Sequence, residues 1–393
     1  MKIKKFLALF LTGILLISGC GGGATIDPGI FINEGEVSPY PLDMKVGFIY
    51  SGSVGSDPMI ATFESCRYQL EVTLKSVKTS CMENVLLQQF EQAVEAYIDN
   101  GYNVIVAADA KYNSAVVISA KKHQDIAFIS FGGHDIAHNL SSVQPLLYQA
   151  ANVLGFAAAY NTVSNKIGLV IDPNMYNAYG IANAFALGTR ELPNSQTNLS
   201  VKWALSNNFA DTKRAVDEFY AQGCDIVFVY QYEEYGIKRC EELGINVMAC
   251  AFNLPEIAPE HYLTGMFLNL DTYLINEVRK VQYGNFVFGE LTREGLFYPS
   301  VSMVQLNENT CKEGTKEIMD KLMNLIYEGK TPIFGGEVRD RNGDVRIAKG
   351  DHWKSPQVLQ LRAWLTNLIT SEQNMSAPLT EDDLIYSDLK MKD

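Results

Sequence analysis

The chain has 393 residues, of which 47% are hydrophobic and 20% charged, with a formal net charge of -13. Such an acidic balance excludes nucleic acid and an anionic membrane surface as partners, since both are held by basic patches. About 370 residues would remain after a leader, enough for two lobes of ordinary size.

The chain opens with Lys2, Lys4 and Lys5, followed by an apolar run from Phe6 to Ile17. That run has the length of a secretory leader and is too short for a membrane span, which needs about 20 apolar residues. Ser18, Gly19 and Cys20 follow, and three glycines come next. The stretch Leu16-Ile17-Ser18-Gly19-Cys20 resembles the lipobox of bacterial lipoproteins. It implies cleavage before Cys20 and acylation of its sulfur, so that more than one acyl chain fixes the protein to a lipid membrane on the extracytoplasmic face. The expected organisation is a leader over 1–19 and a Gly- and Pro-rich tether over 20–44. An N-terminal lobe over 45–150, a C-terminal lobe over 151–285 and a returning segment over 286–369 follow. An acidic tail over 370–393 ends the chain.

Two stretches of the folded part repeat. "KVGFIYSG" from Lys45 is echoed by "KIGLVIDP" from Lys166. "AVEAYIDNGYNVIVAA" from Ala93 is echoed by "AVDEFYAQGCDIVFVY" from Ala215, at nearly the same separation. Each second stretch reads as an amphipathic helix, a glycine suited to a left-handed cap (Gly101, Gly223) and a buried strand. The chain therefore contains two related α/β halves, each with a parallel sheet covered on both faces. Ligands of such sheets bind beyond the carboxyl ends of the strands, and two lobes can close on one cleft.

Later elements follow the same logic. Strands are predicted over 246–252 and 262–271, with helices near 238–243, over 272–282 and over 317–327. Asn342-Gly343 marks a hairpin within 338–347. The apolar spacing of "VLQLRAWLTNLI" (358–369) predicts a last amphipathic helix.

No nucleophile, base and orienter set is legible, nor any GxSxG, Walker or GxGxxG motif, which points away from an enzyme. His134 and His138 are spaced four apart but follow Gly132-Gly133, so they read as an exposed polar loop and not a metal site. No metal or cofactor is implied. The six cysteines beyond Cys20 are irregularly spaced; their even number permits disulfides, and several in apolar runs read equally as buried thiols.

"KVGFIYSGSVGSDPMIATFESCRYQLE" (45–71), "NAFALGTREL" (183–192), "APEHYLTGMFLNLDTY" (258–273) and "FGGEVRDRNGDVRIAKGDHW" (334–353) resemble the basic membrane protein family. These are ABC-transporter substrate-binding lipoproteins for purine nucleosides or bases. The resemblance implies a type I periplasmic-binding-protein fold, two Rossmann-like α/β lobes with parallel sheets around a ligand cleft. It also implies a purine-like small-molecule ligand and an ABC permease as partners. The chain departs from the family pattern where Met59 replaces a tryptophan, and where Tyr230-Gln231-Tyr232 and Ala251-Phe252-Asn253 replace polar and acidic turns. Of a WNW-like segment only Asn269 remains. With carboxylates for a ribose missing or displaced, a free base or another heteroaromatic fits as well as a nucleoside.

Flat aromatic faces and a few directed polar groups make a purine site. The aromatic candidates at the strand ends are Tyr112, Phe131, Tyr176, Phe209, Tyr230 and Phe252. The polar ones are Ser51, Ser53, Asp57, Asp109, Asn174, Gln231, Asn253 and Asn269, with Met59 at the tryptophan place. The alternative reading is a sensory or surface-interaction lipoprotein on the same fold, with a different ligand or none.

Overall fold

The computed structural model describes residues 43–55, 58–231, 233–284, 286 and 289–370. The leader, Cys20, nearly all of the tether, Asp57 and the tail beyond Thr370 lie outside the described residues.

The first sheet is built from β1 (Met44–Ile49), β2 (Val77–Met82), β3 (Val104–Ala107), β4 (Ala127–Phe131), β5 (Leu140–Pro145) and β11 (Leu291–Glu294), in the order β11-β5-β4-β3-β1-β2. Every pairing in it is parallel. The second contains β6 (Lys166–Ile171), β7 (Asn198–Trp203), β8 (Ile226–Tyr230), β9 (Asn246–Cys250), β10 (Tyr262–Leu268) and β12 (Val301–Met303), ordered β12-β10-β9-β8-β6-β7. Only β12 runs antiparallel there. Apart from their outer partners β11 and β12, the sheets share one strand order, as duplication of one unit requires.

Both faces of each sheet are covered. On the first, α1 (Pro58–Thr73) and α9 (Asp271–Gln282) cover one face, and α2 (Phe90–Asp99) and α3 (Asn113–Lys122) the other. On the second, α4 (Leu147–Asn161), α5 (Ala178–Arg190) and α10 (Thr315–Tyr327) oppose α6 (Phe209–Ala221), α7 (Tyr235–Leu243) and the short α8 (Leu254–Ile257). No helix among the described residues is long and apolar enough to cross a membrane.

The repeat holds down to single atoms. A Cβ on Gly47 would stand 2.8 Å from the Tyr97 ring, and one on Gly168 2.5 Å from the Phe219 ring. In each half, an aromatic ring of the second helix, α2 or α6, lies on a first strand that only glycine leaves bare. Lys45 Nζ donates to the Asn100 carbonyl at 2.9 Å, and Lys166 Nζ to the Gln222 carbonyl at 2.9 Å. Those carbonyls precede Gly101 and Gly223, whose φ values of 74° and 78° end the helices as expected.

The chain passes between the sheets three times: at Leu146 after β5, at Asn269 and Leu270 after β10, and over 295–300 between β11 and β12. This differs from the sequence expectation, which kept 151–285 with the second half. Leu270, Tyr273, Leu274 and Val278 bury against the α1 side of the first sheet, and their burial draws α9 and β11 back to it. Hydrogen bonds tie the crossovers together. Leu146 N donates to the Glu294 carbonyl (2.7 Å), Asn269 N to the Ser300 carbonyl (3.1 Å), and Leu296 N to Gln149 Oε1 (3.2 Å).

The hairpin falls where Asn342-Gly343 placed it, as β13 (Val338–Arg339) and β14 (Val345–Ile347). The last helix does not span 358–369. It is α11 (Ser355–Leu359), and the chain then extends along the second lobe. Asn183, fully buried on α5, donates to the Trp364 carbonyl (3.0 Å) and accepts from Thr366 N (2.6 Å). Asn367 N donates to the Arg339 carbonyl and Thr370 N to the Leu199 carbonyl. These partners draw the backbone groups that an i to i-4 ladder would use, while Leu361, Leu365 and Ile369 still bury.

Candidate functional site

The crossovers leave the carboxyl ends of the first sheet facing those of the second. Phe131 closes β4 and Tyr176 follows β6, and their rings meet with centroids 5.2 Å apart and planes inclined 51°. Phe63 of α1 also meets Phe131 edge-on at 5.3 Å. Gly132 lets this approach happen, because a Cβ there would stand 2.7 Å from Ala110 and 3.0 Å from Tyr176.

Tyr176 is held from behind. Tyr230 is fully buried and donates its hydroxyl to the Tyr176 carbonyl at 2.7 Å. Asp172, also buried, accepts from Asn174 N (2.8 Å) and Ser206 N (2.7 Å) and so fixes the loop that carries Tyr176. Tyr176 is partly exposed, but its hydroxyl oxygen is buried without a hydrogen-bond partner. A buried orphan of that kind costs about 1–3 kcal/mol. Burial holds the phenol well above its ordinary pKa, and the nearby Arg362 and Arg293 charges only partly oppose that. The hydroxyl therefore stays protonated and able to donate.

One strand over, Ser51 donates to Asp109 Oδ2 at 2.5 Å. Asp109 Oδ1 accepts from Lys111 N at 2.9 Å, and Lys111 Nζ lies 3.5 Å from the same carboxylate. Ala110 touches Gly132, so this polar pair borders the Phe131 and Tyr176 rings.

The other residues singled out from sequence distribute unevenly. Met59 packs half-buried on the α1 core, and Ser53 Oγ accepts from Gly55 N (3.4 Å). Asn174 is exposed beside Asp172. Asn269 lies half-buried on the second crossover. Phe252 is 72% exposed, and Asn253 donates to Glu234 Oε1 (3.1 Å). Phe209, half-exposed, meets Tyr235 edge-on at 4.8 Å and lines an open groove along α6 with Lys213 and Asp217.

Three candidates turn away from the cleft. Tyr112 is fully buried against Phe90 (4.6 Å) and donates to the Val85 carbonyl (2.5 Å). Gln231 is buried and donates to the Ala204 carbonyl (2.7 Å) and Thr212 Oγ1 (2.9 Å). Tyr230 acts through Tyr176, as described. For all three the reason is the same: a polar tip in an apolar strand end finds a backbone or hydroxyl partner inside its own lobe.

Sequence reasoning missed Gln144 and Arg293. They stand opposite each other in the register of β5 and β11, at the carboxyl ends of both strands. "LSSVQP" and "LTRE" are short and carry little apolar pattern, which hides them. Their one legible signal is a polar residue next to a chain reversal.

Among the described residues, Glu241, Glu260 and His261 bring potential metal-ligand atoms within 4.8 Å, at the far end of the second sheet from the cleft. Glu241 already accepts from Glu260 N (3.1 Å) and His261 N (3.0 Å), so the group works as a loop clamp.

Two α/β lobes of one topology, crossed three times and facing each other over their strand ends, define the type I periplasmic-binding-protein fold. The family described as Bmp, "ABC transporter substrate-binding protein PnrA-like", matches residues 44–333. The chain belongs to that family, whose members are not enzymes and serve ABC transporters outside the cytoplasm. Among solved structures it is similar to an ABC transporter solute-binding protein from Conexibacter woesei DSM 14684, with 13% identity and a TM-score of 0.60, covering 73% of this chain and 97% of that one. A solute-binding protein from Aeropyrum pernix K1 aligns with 12% identity and a TM-score of 0.64, covering 76% and 93%. A transcriptional activator of the comK gene from Bacillus halodurans aligns with 16% identity and a TM-score of 0.63, covering 73% and 99%. At these identities the likeness is one of fold. Comparison with curated proteins finds no match.

Proposed function

We propose that the protein is a lipid-anchored receptor of an ABC importer that captures a purine base or nucleoside-like ligand as its lobes close. The observation that carries the ligand class is the pair Phe131 and Tyr176, one ring from each lobe, which meet between the facing strand ends with Phe131 buried and Tyr176 partly exposed. Offset or tilted aromatic faces are the surfaces a flat heterocycle stacks on. Asp109 accepts from Ser51 and Lys111, and its side chain keeps 30% exposure. An ionised carboxylate has about four acceptor positions, so capacity remains for ring N–H or amino donors of a base. The anchor rests on the stretch from Leu16 to Cys20.

The test is thermal unfolding of the full chain, stripped of ligand, against nucleobases, nucleosides and a broad solute panel. A ligand at 100 times its Kd adds about 2.7 kcal/mol, which displaces the transition clearly. A shift with purines supports capture, and base against nucleoside decides whether a ribose is read. No shift with any purine on folded protein removes the purine assignment and favours the partner-binding alternative. Loss of labelled fatty-acid incorporation in Cys20→Ser tests the anchor.

A further inference from the structure

Tyr176 packs on the buried cores of both lobes. Leu268 does so too, but it ends β10, next to a crossover. Tyr176 lies in a loop whose flanking elements, β6 and α5, both stay in the second lobe, so only side-chain contact brings it to the first. Each side of that contact is fixed in its own lobe. On the second, Tyr230 donates to the Tyr176 carbonyl, and the next residue, Asn177, is buried and donates from Nδ2 to the Val358 carbonyl at 2.8 Å. On the first, Phe131 is buried and meets Phe63 edge-on, and Gly132 N donates to the Val143 carbonyl at 2.8 Å. With both sides anchored, the rings part when the lobes part.

The spacing makes the contact exclusive. A flat heterocycle sandwiched between two rings needs about 3.5 Å on each face, hence about 7 Å between the ring centroids. Phe131 and Tyr176 stand at 5.2 Å, so they fill that space themselves. The contact also carries a cost. A Cβ on Gly132 would stand 3.0 Å from Tyr176 Cε2 and 3.4 Å from Cδ2. Cε2 neighbours the hydroxyl-bearing carbon, so the hydroxyl end of the ring leans on the first lobe, and its oxygen is buried unpaired. Ring packing favours the closed arrangement and the orphan hydroxyl opposes it, which leaves a closure weak enough to open.

We propose that Tyr176 is a latch: its ring, seated on Phe131 and Gly132, holds the two lobes closed without the help of a ligand. The inference deepens the capture reading and rests on it for the role of the cleft, but the latch requires no particular ligand.

Small-angle X-ray scattering of the ligand-stripped full chain tests it, in wild type, Tyr176→Phe and Tyr176→Ala, with far-UV circular dichroism to show that each is folded. Tyr176→Phe keeps the ring and is expected to scatter as wild type does. Tyr176→Ala removes the ring and is expected to raise both the radius of gyration and the maximum dimension while circular dichroism is unchanged. Equal scattering from wild type and Tyr176→Ala overturns the latch. An enlarged Tyr176→Phe also overturns it, because the ring would then not be what holds the lobes. Should Tyr176→Ala fail to fold, Tyr176→Leu replaces it, with the same enlargement expected and equal scattering again overturning the proposal. No ligand is added, so the outcome is separate from the thermal-unfolding test: the latch can stand where every purine fails to bind, and purine binding can stand where the latch is overturned.

Discussion

The Phe131 and Tyr176 rings touch across the two lobes, 5.2 Å between centroids, while the buried Tyr176 hydroxyl beside them is unpaired. Removing an orphan hydroxyl relieves a desolvation cost. Tyr176→Phe is therefore expected to leave the unliganded protein as stable as before, or more stable by up to about 1.5 kcal/mol. Tyr176→Ala, which removes the ring as well, should cost about 2–3 kcal/mol. Urea unfolding of both variants checks this, and a clear loss in Tyr176→Phe would show that the hydroxyl has a partner.

Gly47 and Gly168 occupy the same place in the two halves, each under an aromatic ring. A methyl group at either position forces that ring to move, so each glycine to alanine change should cost about 1–3 kcal/mol. Combining Gly168→Ala with Phe219→Leu should cost less than the sum of the single changes, since the two residues are in contact. Additive losses would remove the steric explanation.

Asp225 holds the loop before β6: its carboxylate accepts from Thr162 Oγ1 (2.6 Å), Ser164 Oγ (2.8 Å), Val163 N (2.5 Å) and Ser164 N (2.9 Å). Burial alone would raise its pKa, but these bonds outweigh it and hold the carboxyl below its ordinary value. A lowered folded value means the stabilisation is complete above the unfolded value near 3.9 and is lost as pH falls through the folded one. Asp225→Asn should cost about 1.5–3 kcal/mol at pH 7 and show a shallower acid limb. Equal acid limbs in the two proteins would contradict this.

The six cysteines from Cys66 to Cys311 are free thiols, so the disulfides that their even number permits do not form. Burial pushes Cys224 up to about 11, and Cys250 and Cys311 up to about 12. Thiolates are the reactive form, so these thiols should resist alkylation at pH 8 in the native protein, and all six from Cys66 to Cys311 should react in denaturant without reductant, as peptide mapping would show. Because these values are raised, the associated stability is full below the ordinary thiol value of 9.0 and is lost as pH rises through 11 to 12. Any of these six left unlabelled in denaturant alone but labelled after reduction would reveal a disulfide.

Asn183 pairs with Trp364 and Thr366 from inside the second lobe. Asn183→Ala should cost about 2–4 kcal/mol for two buried hydrogen bonds and the groups left unpaired. Amide exchange at Thr366 should speed up well before the rest of the lobe unfolds. Unchanged protection at Thr366 would mean the segment is held by its apolar side chains alone.

Local pattern carried much of this protein. The echo between Lys45 and Lys166 and between Ala93 and Ala215 announced two like halves, because helix period, strand apolarity and glycine caps are properties of neighbouring residues. Gly101 and Gly223 were legible for the same reason: a left-handed φ admits few other residues. Phe131 and Tyr176 were legible as aromatic residues after strands, but not as partners.

Contacts between distant parts of the chain decided the rest. The apolar face of α9 fits either lobe by its sequence, and only burial against α1 assigns it to the first. Leu361, Leu365 and Ile369 keep a helical spacing, yet Asn183, far away in sequence, takes the backbone groups and leaves the segment extended. Tyr112, Tyr230 and Gln231 carry the residue types of a ligand site, but their polar tips find partners inside their own lobes. Gln144 and Arg293 carry no pattern and become neighbours only when β11 joins β5. Periodicity reports which face of an element is buried; what that face is buried against, and which polar groups stay unpaired, is set by the free energy of the whole folded chain.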